Sequence, residues 1–419
     1  MGLRRKAVLH IGPYKTGSTT IQSFLQMNAD LLQQQGIHFA ASPGRPNNVG
    51  LAVSCLDPHR ITGLIKRLGL QFPEDRSQYI EQFRKALDRE MRQLSSDIEC
   101  VIFSNEHCSG LIMEHEIVRL KELLDPYFSS IDVVLYLRSQ DSRIISDYTE
   151  KVKDGYTEYF DIFNYRPAEG LDYEVFLDKW ASVFGVSAIK PRVFSREKFT
   201  NGDLVDDFCD AVDIVIGADF ERPEVANTGL SHNAVAFLRH FNKHFPAYLK
   251  EKPNPVRSRL LPLIRRRFPG NGVEVNPASR RALLEQYQES NSRVAERYFN
   301  SAVNLFDKDF VSGDPHKEKD LSAEEAIEIA AHLWKEQAEL INELKGEISR
   351  LKQRRSSEMF AWVDDLELLR TRANEILESD QNRELYYPSL LDELMKCHEE
   401  LVAVRKIVAS GGKKSGGDH

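Results

Sequence analysis

The chain has little cysteine. Its five cysteines (Cys55, Cys100, Cys108, Cys209 and Cys397) are odd in number, scattered, and contain no Cys-x-x-Cys pair. That pattern argues against a disulfide framework or a zinc site, and it fits a reducing cytoplasm. Long apolar runs are missing as well. The opening stretch "MGLRRKAVLHIGP" carries basic residues, but its apolar run "AVLHI" is too short for a signal-peptide core. No stretch approaches the ~20 apolar residues that span a bilayer. A soluble, unprocessed, cytoplasmic protein without a transmembrane segment is therefore expected. A surplus of positive charge is absent too: 56 basic residues against 64 acidic ones leave a net charge of −8. Nucleic acid is not an expected partner, and any anion site must be local. No internal repeat on the scale of a solenoid is present.

What the chain does contain is alternation. Apolar runs "KAVLHI" (Lys6 to Ile11), "IECVIFS" (Ile98 to Ser104) and "IDVVLYL" (Ile131 to Leu137) read as buried strands, and helical patterns lie between and after them. A fourth run, "AIKPRVF" (Ala188 to Phe194), is weakened by Pro191. Strands and helices that alternate in this way predict an α/β fold with a parallel sheet flanked by helices, whose ligands sit at the carboxyl ends of the strands. The first helix is expected from about Gly17 to Gln35, with Gly36 just past its end.

The stretch "HIGPYKTGSTTIQSFL" (His10 to Leu25) follows the first strand. Gly12 and Gly17 have the spacing of a P-loop, GxxxxGK[ST], but Ser18 stands where the lysine should be and Lys15 lies inside the loop. Backbone amides and a helix N-terminus still suit an anion, without the usual lysine and magnesium geometry. "HIGPYKTGSTT" resembles the 5′-phosphosulfate-binding loop of sulfotransferases, in the form found in bacterial proteins that modify carbohydrates or other hydroxyl-bearing acceptors. The resemblance implies a P-loop NTPase-like fold. It also implies 3′-phosphoadenosine 5′-phosphosulfate as donor, adenosine 3′,5′-bisphosphate as product, and no metal. Lys15, Ser18 and Thr19 would grip the 5′ end, assisted by Gly12, Thr16, Gly17 and Thr20. A sulfuryl group carries less charge than a terminal phosphoryl group, so one cation at the bridging oxygen can stabilise the leaving phosphate. Lys15 is the candidate for that role.

A second segment, "VVLYLRSQDSRIISDYTEK", places Arg138 at a strand end and Ser146 on the following helix. It resembles the 3′-phosphate-binding segment of the same family, where arginine offers a bidentate fork and serine a short hydrogen bond. "RSQ" replaces the Arg-Asp-Pro or Arg-Asn-Pro common in animal members, and the "KGxxGxW" element that closes over the nucleotide in many cytosolic members is missing. The source of an adenine clamp is thus open. A third segment, "LDYEVFLDKWASVFGVSAIKPRVF" with Trp180 and Phe184, is similar to the region that follows in bacterial members and reads as fold support. The resemblance covers about residues 6–310.

The candidate base is Glu106 in "VIFSNEHCSG", just past the end of a strand and similar to an "SSE" or "SNE" segment of bacterial members; His107 is its substitute. His10 reads as a satisfied core histidine. The stretch "KPNPVRSRLLPLIRRRFPGNG" gathers Lys252, Arg257, Arg259, Arg265, Arg266 and Arg267. It suggests a solvated face or an anion-attracting patch, and through the latter a peripheral position at the inner membrane surface. Beyond "GDPHKEKD", Ser322 and Glu325 form a capping-box signature. A heptad helix over about 322–353 follows, with Ile327, Trp334, Ile341 and Ile348 alternating with Ala330, Gln337, Leu344 and Leu351.

The expected organisation is a sulfotransferase domain over 1–312, a helical, coiled-coil-like extension over 313–410, and a disordered tail over 411–419. The expected activity is transfer of a sulfuryl group to a hydroxyl of a saccharide, a lipid-linked saccharide or a small metabolite. Self-association or a protein partner would use the C-terminal helices. The alternatives are a P-loop kinase or NTPase with a degenerate loop, and a helical scaffold with a vestigial nucleotide site.

Overall fold

A computed structural model describes residues 5–354 except 43, 168–169, 225–228, 250–251, 303 and 307–320. The expected domain boundary near residue 312, the amphipathic stretches from Phe360 onward and the tail lie outside the described residues. The chain forms two compact units. One comprises Met1–Glu150, Phe160–Thr228 and Glu274–Lys319; the other comprises Lys151–Tyr159, Gly229–Val273 and Asp320–His419.

The first unit is built on a parallel sheet of five strands, β1 (Lys6–His10), β2 (Ile37–Phe39), β3 (Cys100–Ser104), β4 (Ser130–Leu137) and β5 (Ile189–Val193), in the order β2-β3-β1-β4-β5. Successive side chains of a strand point to opposite faces. Ala7, Leu9, Val101, Phe103, Val133 and Leu135 accordingly meet one apolar cluster with Leu87, Phe176 and Trp180. Val8, Ile102, Val134 and Tyr136 meet another with Ile21, Phe24, Leu25 and Phe208. Both faces are covered by helices, as a parallel sheet requires. Pro191 does sit within a strand, and β5 tolerates it because it is the edge of the sheet, where one row of ladder bonds is not needed. β2, only three residues long, escaped the reading of apolar runs.

One helix was expected over Gly17 to Gln35. The structure has two, α1 (Ser18–Met27) and α2 (Ala29–Gln34), broken at Asn28. The Asn28 amide donates to Phe24 O at 2.8 Å and to Glu221 O at 2.9 Å, while Glu221 N donates back to its side-chain oxygen at 2.8 Å. A side chain that bonds backbone in this way competes with the helix ladder.

The second unit holds the His232–His244, Pro255–Arg267 and Ala323–Arg354 helices. Its apolar interior includes Leu230, Val235, Leu238, Ile264, Ile329 and Leu333. The basic stretch does not form one solvated patch. Arg257 is buried and donates to Asn242 Oδ1 and Val152 O, each at 2.9 Å, and Arg266 and Arg267 pair with Glu336. On the long helix Ile329 and Leu333 are buried, whereas the heptad residues Ile327 and Trp334 are 68% and 76% exposed. No described helix is long and apolar enough to cross a membrane. The four described cysteines are free and buried.

Candidate active site

β1 ends at His10, and the chain turns through Ile11 to Gly17 into α1. Gly12 and Gly17 have φ of 88° and 77°, and Lys15, with φ 68°, adopts the same left-handed region. Gly12 must be glycine on a second count. A Cβ there would stand 3.1 Å from Glu106 Cα and 3.3 Å from Glu106 O, both backbone atoms. At Gly17 a Cβ would fall 2.2 Å from Leu204 Cδ2. The buried Thr16 hydroxyl closes the loop by donating to Pro13 O at 2.6 Å. Gly17 supplies no side chain to cap α1; Thr20 N donates to Gly17 O at 3.0 Å, which leaves the Ser18 and Thr19 N–H groups as the ones at the start of the helix without an intrahelical acceptor. Ser18 is buried in that turn, Thr20 is half-buried and Thr19 is exposed.

β3 delivers Glu106, the first residue of a short 3-10 helix, Glu106–Gly110. Asn105 caps that helix by accepting from His107 N at 2.8 Å, and its own amide donates to Asn48 O at 2.7 Å. Gln22 Nε2 of α1 donates to Glu106 Oε2 at 2.7 Å. His107 Nε2 is 4.0 Å from Glu106 Oε1, and His107 Nδ1 shares a hydrogen bond with the Tyr14 hydroxyl. Burial lowers the His107 pKa, partly offset by the Glu106 charge, so the ring is neutral near pH 7.

β4 delivers Arg138. Its guanidinium donates to Lys15 O at 3.0 Å and lies over the Phe194 ring, 5.7 Å from the centroid. Burial pulls its pKa down from the ordinary arginine range. The carboxylate acting on it most, Asp141, follows the Tyr173 phenol in effect and is itself paired with Arg280 at 2.5 Å. Among the described residues no carboxylate forms an ion pair with Arg138, and a partly desolvated guanidinium left in that state can accept an anion. Ser146 is half-buried on the Gln140–Lys153 helix, one turn before Glu150. Glu150 Oε1 holds Lys15 Nζ at 3.0 Å.

The structure thus brings Gly12, Glu106, the Lys15 backbone and Arg138 together at the carboxyl edge of β1, β3 and β4. The Lys15 ammonium is drawn toward the helix of Ser146. His10 is not the satisfied histidine expected. Nδ1 bonds the Ser104 hydroxyl at 2.8 Å, but the buried Nε2 has no hydrogen-bond partner among the described residues, and burial lowers the ring's pKa to about 3. Sequence reading missed Gln22, Glu150 and Phe194. Of these Gln22 left a signal: an amide among Ile21, Phe24 and Leu25 on the buried face of α1. Among the described residues, no group of three or more His, Cys, Asp or Glu could hold a metal ion.

No protein-family model matches the sequence. The chain is 28% identical over 187 residues to an uncharacterized protein of Archaeoglobus fulgidus, an alignment that takes in 45% of this chain and 50% of that protein. It therefore spans about half the length of the curated relative it matches. It is also similar to the solved structure of a sulfotransferase from Alicyclobacillus acidocaldarius, with 16% sequence identity, a TM-score of 0.38 and coverage of 70% of this chain and 96% of that one. Likeness at this level does not assign an activity.

Proposed function

We propose that the chain is a sulfotransferase that moves a sulfuryl group from 3′-phosphoadenosine 5′-phosphosulfate to a hydroxyl of an acceptor, a saccharide or glycoconjugate before a small metabolite. The observation that carries the reading is Arg138, a half-buried guanidinium with no carboxylate ion pair among the described residues, bonded to the backbone of a glycine loop that leads into a helix N-terminus without a side-chain cap. Such a pair of features suits a ligand with anionic groups at two ends. Gly12, Thr16 and Gly17 shape the loop. Ser18 and Thr19 present their amides and hydroxyls to the 5′ end, Thr20 adds its hydroxyl, and Arg138 with Ser146 takes the 3′-phosphate.

The donor supplies an activated sulfuryl group. Glu106 takes the proton of the acceptor hydroxyl as its oxygen bonds to sulfur and the bond from sulfur to the phosphate oxygen breaks. Lys15 exchanges Glu150 for that oxygen and stabilises the charge it gains. The Lys15–Glu150 pair is a third exposed on each side, so the exchange costs little.

The test is transfer from radiosulfate-labelled donor to a panel of saccharides, with Arg138→Ala, Arg138→Lys and Glu106→Gln. Label should appear on one acceptor class and fall with each variant. Lysine should rescue Arg138 only in part because it lacks the planar fork. Turnover of ATP with magnesium in place of this donor would transfer the assignment to a phosphoryl-transfer enzyme.

A further inference from the structure

Gln22 is 3% exposed among the buried residues of α1, which are otherwise Ser18, Ile21, Phe24 and Leu25. A buried amide is costly unless its hydrogen bonds are made. Both bonds found for its nitrogen run to the end of β3 and the residues just past it, to Glu106 Oε2 at 2.7 Å and to Ser104 O at 3.4 Å. The second carboxylate oxygen, Oε1, is not engaged by Gln22 and has His107 Nε2 4.0 Å away. Gly12 packs against the Glu106 backbone from the loop side. The glutamate is therefore held between two parts of the same loop-and-helix segment, at its backbone by the loop and at its carboxylate by the helix. An amide donor fixes a carboxylate without supplying a positive charge, which an arginine in this place would do; the carboxylate stays available as a base.

We propose that Gln22 is the positioning residue for Glu106. By holding Oε2 it leaves Oε1 to take the acceptor's proton, and because it rides on α1 it ties the direction of the carboxylate to the helix whose N-terminus closes the anion loop. This inference rests on the sulfuryl-transfer reading.

The test compares wild type, Gln22→Met, Glu106→Gln and the double variant. Methionine keeps the length and removes the donor. Three readouts are needed: calorimetric binding of adenosine 3′,5′-bisphosphate, consumption of the donor with water as acceptor, and a crystal structure of Gln22→Met. In the water reaction the water oxygen bonds to sulfur, the bond from sulfur to the phosphate oxygen breaks, and Glu106 takes the proton, releasing sulfate and the bisphosphate. The expected result is bisphosphate affinity like wild type, kcat lowered at least about tenfold with KM unchanged, and a double variant no slower than Glu106→Gln alone. The Glu106 carboxylate should be turned in the Gln22→Met crystal. Wild-type turnover in Gln22→Met, losses that multiply in the double variant, or an unmoved carboxylate would overturn the inference. A wild-type protein that fails to bind the bisphosphate overturns the sulfuryl-transfer reading instead, and the crystal structure then decides the positioning claim alone.

Discussion

Replacing Gly12 by alanine tests whether the loop and Glu106 are in backbone contact. Two costs add at this position. Its φ of 88° is one that L side chains avoid, with a cost of about 1–2 kcal/mol. The new methyl would also stand 3.1 Å from Glu106 Cα and 3.2 Å from Glu106 Cβ. The first neighbour is backbone held by the Asn105 cap and cannot swing aside as a side-chain end would. Together they predict a loss of about 1–3 kcal/mol, or roughly 2–12 °C in melting temperature for a unit of this size. Gly63→Ala is the control. Gly63 opens the Gly63–Arg67 helix, its φ is not positive, and nothing lies within 4 Å of the added Cβ. That variant should be neutral or gain about 0.4–1 kcal/mol. Scanning calorimetry measures both, and adenosine 3′,5′-bisphosphate binding by the folded Gly12→Ala protein reports the displaced loop. A Gly12→Ala protein that melts with wild type would refute the close approach.

Three further outcomes follow from particular side chains. Asp207 is 2% exposed and accepts from Tyr136 Oη at 2.8 Å and from Arg192 Nε at 2.6 Å and Nη2 at 2.7 Å; Asp207→Ala should cost about 1–3 kcal/mol in urea unfolding, because it strands the buried phenol and leaves Arg192 with the more exposed Asp210 at 3.2 Å. His10 must be neutral to stay buried, so its pKa of about 3 against the ordinary 6.5 contributes stability that is complete above pH 6.5 and lost as pH falls toward 3. The loss is on the order of 4 kcal/mol, and it should be absent from the pH dependence of urea unfolding in His10→Asn. Glu150→Gln should change stability by less than about 1 kcal/mol, since the pair with Lys15 is partly solvated, while tightening bisphosphate binding measured by calorimetry.

Much of the sheet was legible because β1, β3 and β4 are buried on both faces and so read as continuous apolar runs. β2 was not, since three residues give no period, and the α1–α2 break was not, because the partner of Asn28 is 193 residues away. The loop was legible from Gly12, Lys15 and Gly17, whose spacing is local. Its surroundings depend on chain-distant meetings: Gln22 on Glu106, Glu150 on Lys15, Phe194 under Arg138. The basic stretch misled for a related reason. Arg257 caps the carbonyls of Val152 and Lys153, a task for which charge composition gives no sign.

The most direct measurement is calorimetric titration of the full chain with adenosine 3′,5′-bisphosphate, ADP, and ATP with magnesium, repeated on Arg138→Ala. Metal-independent binding of the bisphosphate in preference to ADP is expected, weakened in the variant by about 10- to 150-fold, the worth of ~1.5–3 kcal/mol for a hydrogen-bonded charge. Tighter binding of ATP with magnesium, or a bisphosphate affinity indifferent to Arg138, would contradict it.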